Sequence, residues 1–125
     1  LQCAALDYGS SFSRAVELVT PGSRTLMVSG TASIEPGGAT AHAGDLEGQI
    51  RLTMDVVGTI LASRGMGWQD AVRAVMYLKD ASYLGVWQRW LRTHGLEGLP
   101  VLNVEADVCR EDLLVELEVD TVKRF

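Results

Sequence analysis

The sequence predicts an α+β domain in which a mixed β-sheet carries two helices on one of its faces. Two segments have apolar residues at helical spacing, and five others have the apolar or alternating pattern of strands. In chain order these elements are β-β-α-β-α-β-β, which favours a layered α+β architecture. A length of 125 residues with 47% hydrophobic residues fits a single domain over residues 1–125.

The first two elements are predicted to be strands joined by a tight turn. Residues 12–18 alternate loosely, and residues 24–31 contain the apolar run that is typical of a buried strand. The Pro-Gly pair at 21–22 between them favours a turn. The small, glycine-rich residues 35–44 that follow predict a long loop.

Both helices are predicted from an apolar stripe and from residues that favour helix ends. Asp45 is a suitable N-cap for the first helix, which Gly65 is expected to end. Asp80 or Ser82 caps the second helix, and Gly95 closes it. We interpret the tryptophans of the second stripe as core residues, with one indole half exposed. The stripes are Leu46, Ile50, Met54, Val57 and Leu61, and then Tyr83, Val86, Trp87, Trp90 and Leu91.

Three further strands are predicted over residues 71–79, 100–108 and 113–122. In the last of them apolar residues alternate with acidic ones, so Glu116 and Glu118 share one face. If the final two strands pair as a hairpin, that face also carries several other carboxylates. We expect such a face to sit against a partner subunit, with a ligand between the two.

Carboxylates crowded on one face need a nearby positive charge or must share protons. Glu105 and Asp107 are expected on the same side as Glu116, and Arg14 and Arg51 are candidates to offset them or to hold a substrate carboxylate. A desolvated Glu116 would have a raised pKa and would suit a general acid. Glu118 is interpreted as a structural residue or an ion-pair partner.

Composition and charge exclude several classes of function. A net charge of −5 without a basic cluster argues against binding nucleic acid or an acidic membrane. The two cysteines and two histidines lack metal-ligand spacing, so no metal site and no cofactor is expected. No apolar run is long enough to span a bilayer and no secretory leader is visible, and the cysteine usage favours the cytoplasm. Because the chain begins at Leu1, we expect a processed or trimmed product, or one end of a longer protein.

Four segments, in order and in register, resemble the YjgF/RidA superfamily, also called endoribonuclease L-PSP. They are residues 26–31, 44–51, 74–80 and 114–118. The resemblance covers residues 12–122 and implies a chorismate-mutase-like fold, a homotrimer and ligand clefts between subunits. Within it, Glu116 and the pair Ser29-Gly30 match family positions.

The residues that define the deaminase branch of this superfamily are replaced. That branch places an arginine just after the proline that opens the penultimate strand, where it binds the carboxylate of an imino acid. Here Pro100 is followed by Val101 and Leu102. The branch's tyrosine near the first strand corresponds to Phe12, which has no hydroxyl group. The resemblance therefore implies that the usual imine deamination is absent.

A second resemblance is to the C-terminal half of chorismatases, which hydrolyse chorismate or convert it to hydroxybenzoate. It is carried by residues 11–15, 28–34 and 106–110. In one chorismatase branch a cysteine precedes the active-site glutamate by seven positions, and Cys109 and Glu116 have that spacing. Chorismatases carry a further N-terminal half, which we expect this chain to lack.

Three functional hypotheses follow from the sequence. The first is a homotrimer that binds a small carboxylated metabolite between subunits, with chorismatase-like proton transfer or hydrolysis. It assigns Glu116 and Cys109 to catalysis, and it assigns substrate binding to Ser29, Gly30, Phe12, Arg14 and Leu102. The second is a non-catalytic ligand-binding or regulatory module on the same fold. The third is a 2-imino acid deaminase whose carboxylate anchor differs, for example Arg14.

Overall fold

A five-stranded mixed sheet with two helices on one face forms the framework of the protein. The computed structural model describes residues 14–125. The order β-β-α-β-α-β-β predicted from the sequence is confirmed, with short 3-10 turns at Trp68–Asp70 and Ala81–Tyr83. The main elements are β1 (Ala15–Thr20), β2 (Ser23–Thr31), α1 (Leu46–Ser63), β3 (Ala71–Leu78), α2 (Leu84–Thr93), β4 (Val101–Glu105) and β5 (Val115–Arg124).

The strands lie in the order β1-β2-β5-β3-β4, so the last strand of the chain is the centre of the sheet. Strand β5 pairs antiparallel with both β2 and β3, while β4 runs parallel to β3 at the opposite edge from β1. The prediction that the last two strands pair as a hairpin is therefore wrong. Helix α2 carries the chain from β3 to the parallel β4, and β4 and β5 end up on either side of β3.

Helix α1 begins and ends where its sequence predicts. The side chain of Asp45 accepts a hydrogen bond from the backbone N–H of Gly48, at a donor–acceptor distance of 3.0 Å. This bond satisfies one of the N–H groups that a helix leaves free in its first turn. The helix ends at Ser63, and Gly65 reverses the chain with a positive φ of 70°, which glycine adopts without steric cost.

The second helix is entered through a 3-10 turn, which settles the choice between the two predicted caps. Asp80 accepts a hydrogen bond from the N–H of Ser82, so it caps the turn that leads into α2. Trp87 is fully buried, and Trp90 is half-buried and stacks on it at 6.0 Å between ring centroids. The Trp87 indole donates to the side-chain oxygen of Asn103 on β4 at 2.9 Å. The tryptophans are core residues, as predicted from the helical stripe.

The hydrophobic core lies between the helices and one face of the sheet. On β5 every second residue from Val115 to Val119 is fully buried, and Leu26 and Val28 on β2 lie beside them. Helix α1 covers these strands with Ile50, Met54, Val57 and Leu61. Burial of each such side chain stabilises the fold by about 1.5–3 kcal/mol. The alternation that fills the core also places Glu116 and Glu118 on the opposite face.

Several strand boundaries differ from their predicted positions. Strand β4 ends at Glu105 rather than at 108, because its partner β3 ends at Leu78 and offers no further ladder. Strand β5 occupies Val115–Arg124 rather than 113–122. In the first strand, the part of the prediction that includes Phe12 lies outside the described residues.

Across residues 14–125, neither helix combines the length and the apolarity needed to cross a membrane.

Candidate functional site

The sheet face that the helices leave uncovered brings the candidate residues together. This open face is formed by alternate residues of the five strands, and the strand register shows which of them are neighbours. It combines exposed apolar side chains with charged ones. Its main members are Val16, Leu18, Met27, Arg73, Val75, Tyr77, Leu102, Val104, Glu116, Glu118 and Asp120.

A β-bulge in β2 positions the predicted pair Ser29-Gly30 beside Glu116. The register moves from Val28 opposite Val119 to Thr31 opposite Leu117, so Ser29 and Gly30 together lie opposite one residue of β5. Such bulges bend a strand and redirect its side chains. A Cβ atom on Gly30 would lie 2.7 Å from Oε2 of Glu116. The glycine therefore leaves the space that the Glu116 carboxyl group occupies.

Replacing Gly30 by Ala is expected to displace the Glu116 carboxyl group while leaving the fold intact. The clash involves the end of a flexible side chain, which moves more readily than backbone does. We expect a crystal structure of the variant to show Glu116 in another rotamer, and the melting temperature to stay close to that of the parent. Gly22→Ala is a matched control, because nothing lies within 4 Å of a Cβ at Gly22. An unmoved Glu116 carboxyl group would contradict the role given to Gly30.

The carboxyl group of Glu116 is held in an environment that favours its neutral form. Burial raises its pKa above the usual value for glutamic acid, and the negative charge of Glu118 raises it further. The nearby guanidinium of Arg14 acts in the opposite direction. A raised pKa extends the pH range over which a carboxyl group carries a proton that it can donate to a substrate.

Glu118, two residues along the same strand, is held in the opposite state. The Tyr77 hydroxyl donates to its Oε1, and Nη1 of Arg73 donates to its Oε2 at 3.1 Å. These two bonds lower the pKa of Glu118, with the tyrosine bond as the largest cause. Arg73 also reaches Oδ2 of Asp120 at 3.3 Å. Glu118 is therefore an ion-pair partner, as predicted, but the partner lies within the same chain.

Arg14 and Leu102 lie at opposite sides of the open face. Arg14 precedes β1, and its carbonyl oxygen accepts a hydrogen bond from the backbone N–H of Ser29 at 2.9 Å. Leu102 lies on the edge strand β4 opposite Val75 and is 64% exposed. Its neighbour Val101 packs on the core side instead. Of the two positions considered for the deaminase arginine, only Leu102 thus faces the side of the sheet that carries Glu116.

Cys109 is an exposed free thiol in the loop between β4 and β5. The guanidinium of the next residue, Arg110, donates to the carbonyl oxygen of Gly38 at 2.6 Å and connects this loop to the loop before α1. A second tie comes from Thr40, whose hydroxyl donates to the Asp112 carboxylate at 2.8 Å. The two long loops of the chain therefore form one unit at the end of the sheet.

Three acidic or basic residues do not join the site, contrary to the prediction. Glu105 has the same strand parity as Asn103, on the helix side, and its carboxylate accepts from the N–H of Ala81 at 2.6 Å. Asp107 lies beyond the end of β4. Arg51 is exposed on α1, which covers the other face of the sheet. The expected place of Glu105 and Asp107 depended on the hairpin that the sheet topology replaces.

Two side chains of the open face were missed by sequence reasoning, namely Tyr77 and Arg73. The parity of the third predicted strand was the available signal, because Arg73 and Tyr77 stand at odd positions while the core residues Ala74, Met76 and Leu78 stand at even ones. Within residues 14–125, no group of three or more His, Cys, Asp or Glu side chains is arranged to hold a metal ion.

Comparisons with known proteins agree with this architecture. Residues 4–123 match the family model described as endoribonuclease L-PSP. The chain is similar to a 3-hydroxybenzoate synthase from Streptomyces hygroscopicus, with 32% identity over 102 residues, which cover 74% of this chain and 30% of that protein. It spans about a third of the length of the curated chorismatase relatives that it matches.

Two solved structures have the same fold. A crystal structure of a chorismatase matches with a TM-score of 0.77 and 28% identity, covering 88% of this chain and 36% of that one. The YjgF gene product from E. coli matches with a TM-score of 0.76 and 20% identity, covering 98% of this chain and 94% of that one. The second likeness concerns the fold alone.

Proposed function

The chain belongs to the endoribonuclease L-PSP family, also called YjgF/RidA, and on this basis we propose that it binds a small carboxylated metabolite on the open face of its sheet. In this proposal the protein is a cytoplasmic homotrimer, and the ligand lies in clefts between its subunits. Glu116 transfers protons to and from the ligand. The activity is that of a chorismatase-like hydrolase or lyase.

The observation that carries the proposal is the position of Glu116. It is half-buried on the sheet face that the helices leave uncovered, it lies against Gly30 of the bulge, and its pKa is raised by burial and by Glu118. A general acid needs both access to its substrate and a pKa near the working pH. Burial and the charge of Glu118 move the pKa of Glu116 upward, which is the direction that a general acid needs.

Assembly through the open face would complete the site. Val16, Leu18 and Leu102 are between 50% and 64% exposed there, and apolar side chains grouped on one face mark interaction surfaces. A second copy of the chain would cover them and enclose the ligand against Glu116. Measurement of the molar mass in solution tests this part, and we expect three chains per particle.

Chorismate is the substrate we propose to test first. The similarity to a 3-hydroxybenzoate synthase and to chorismatases supports it, as does the spacing of Cys109 and Glu116. In hydrolysis, Glu116 would protonate the methylene carbon of the substrate's enol ether, and water would add to the resulting cation and return a proton to Glu116. The hemiketal formed would then break its ether C–O bond and release pyruvate and the ring alcohol. The chain spans about a third of the length of those relatives, so any groups that their remaining length contributes to a site lie outside the matched region.

Imine deamination with another anchor is the second candidate. The usual arginine position is occupied by Leu102, which cannot bind a carboxylate, while Arg14 places a positive charge near Glu116. In that case Arg14→Ala would abolish deamination of a 2-imino acid and leave folding unchanged. A nuclease activity has little support, because the net charge of −5 would repel RNA.

Incubation of the purified protein with chorismate, with products separated by chromatography, tests the proposal. We expect chorismate to be consumed and a hydroxybenzoate or a hydrolysis product to appear. Calorimetric binding without turnover would support the non-catalytic module instead. If the protein shows neither binding nor turnover of chorismate, chorismate is not the ligand, and 2-imino acids would be assayed next.

A further inference from the structure

Two glutamates of the open face are held in different ways by the neighbouring strand β3. Glu116 and Glu118 are adjacent positions on the same side of β5, and Tyr77 lies directly opposite Glu116 in the strand register. The Tyr77 hydroxyl nevertheless donates diagonally to Glu118 rather than to the residue opposite. Arg73 lies four residues before Tyr77 on β3, and it donates to the other carboxylate oxygen of Glu118 at 3.1 Å.

We propose that Tyr77 and Arg73 are positioning residues of the site, which fix Glu118 as an anion beside Glu116 so that Glu116 is the one that carries the exchangeable proton. The inference rests on the proposed role of Glu116 as the acid. It explains why Glu116 rather than Glu118 is the acid: the side chains of Tyr77 and Arg73 on β3 bind Glu118.

The charges around the two carboxyl groups agree with this division of roles. Tyr77 and Arg73 lower the pKa of Glu118, and the resulting negative charge is one of the two causes that raise the pKa of Glu116. The other elements that contact Glu116 contribute Arg14, which acts against the effect, and Gly30, which is uncharged. Environments that separate the pKa values of two neighbouring carboxyl groups commonly define an acid and an anion in active sites.

The Tyr77 hydroxyl distinguishes the two glutamates because it donates its single proton to only one of them. A phenol has one O–H to donate, and here Glu118 receives it, so the same proton is not shared with Glu116. Phenylalanine at this position would keep the ring and its packing but lose the donor. Glu118 would then lose the largest cause of its lowered pKa, while Arg73 would still pair with it.

The test is a carbon-13 NMR titration of the side-chain carboxyl carbons in the free protein, without substrate. In the parent protein we expect two separate transitions, with Glu118 titrating at the lower pH. In Tyr77→Phe the Glu118 transition moves to higher pH, so the two transitions approach each other. In Glu118→Gln the Glu116 transition moves to lower pH, because the neighbouring negative charge is gone.

A matched control keeps the result from being a general effect of removing a phenol. Tyr83 packs against the core on the helix side, so Tyr83→Phe should leave both transitions in place. Unfolding curves establish that each variant is folded before it is titrated. If Tyr77→Phe leaves the gap between the two transitions unchanged, or Glu118→Gln leaves Glu116 where it was, the inference is wrong.

The titration also separates this inference from the proposed function. A protein that shows the expected transitions but turns over no substrate would contradict the catalytic proposal and leave the positioning role of Tyr77 in place. Where turnover is found, the falling limb of its pH profile should move to lower pH in Glu118→Gln, together with the Glu116 transition. A residue with only a structural role would lower activity without moving that limb.

Discussion

Glu116→Gln is expected to lower kcat/KM for the proposed substrate by a factor of about 10²–10⁴, the range in which a positioned general acid contributes. Glutamine has nearly the same size and shape as glutamic acid, so the space left by Gly30 remains filled. What is lost is the proton of a carboxyl group whose pKa is raised by burial and by Glu118. In the parent protein the rate should fall as the pH rises through the raised pKa of Glu116, because the acid then loses its proton.

The same substitution at an exposed glutamate controls for changes in overall charge. Glu97 lies in the turn between α2 and β4, away from the open face, and Glu97→Gln should retain the parent activity. Binding of the ligand to Glu116→Gln, measured by calorimetry, should stay within a few-fold of the parent. Full turnover by Glu116→Gln would remove Glu116 from the mechanism.

Gln49→Ala is expected to lower the free energy of unfolding by about 3 kcal/mol, since three backbone groups lose a hydrogen-bond partner and each such bond contributes about 1 kcal/mol. Gln49 on α1 is fully buried, and its Nε2 donates to the carbonyl oxygens of His42 at 3.2 Å and Asp112 at 2.8 Å. Its Oε1 accepts from the N–H of Leu114 at 2.8 Å. One side chain thus joins the loop before α1 to the segment that leads into β5.

Urea unfolding of the variant measures this effect directly. Gln88→Ala is a suitable comparison, because Gln88 is exposed on α2 and its replacement should change stability by less than about 0.5 kcal/mol. Since the segment that Gln49 holds immediately precedes β5, loss of stability should be accompanied by weaker ligand binding at Glu116. A Gln49→Ala protein as stable as the Gln88→Ala protein would contradict the role assigned to these bonds.

The helices and the faces of the strands could be predicted because they depend on local periodicity. Asp45 and the stripe from Leu46 to Leu61 determine α1 without knowledge of any other element. The alternation of Val115 with Glu116 likewise assigns each residue of β5 to a face. These patterns place Glu116 opposite the core before any strand is paired.

Strand neighbours could not be predicted in the same way, because pairing joins segments far apart in the sequence. The hairpin between the last two strands is sequentially the simplest arrangement, yet β5 pairs with β2 and β3 instead. The error placed Glu105 on the wrong face, where it was expected near Glu116. It also concealed Tyr77, whose relation to Glu118 exists only when β3 and β5 are adjacent.

Gln49 was missed for a related reason. Its three hydrogen bonds go to backbone groups, which carry no signal in the sequence, and a glutamine within a helix normally points to solvent. Its neighbour Ile50 belongs to the apolar stripe, which concealed the burial of the polar residue beside it. Buried polar side chains that bind loop backbone are recognised from coordinates rather than from periodicity.

The location of a bound ligand shows directly whether the open face of the sheet is the binding site. We would determine the crystal structure of the protein with 3-hydroxybenzoate, the compound in the name of a relative, 3-hydroxybenzoate synthase. Its binding can be observed without turnover. We expect density for the ligand over the open face, beside Glu116 and the Ser29-Gly30 bulge and in contact with a second copy of the chain. Density in the helix-side crevice lined by Trp68 and Leu99, with an empty open face, would contradict it.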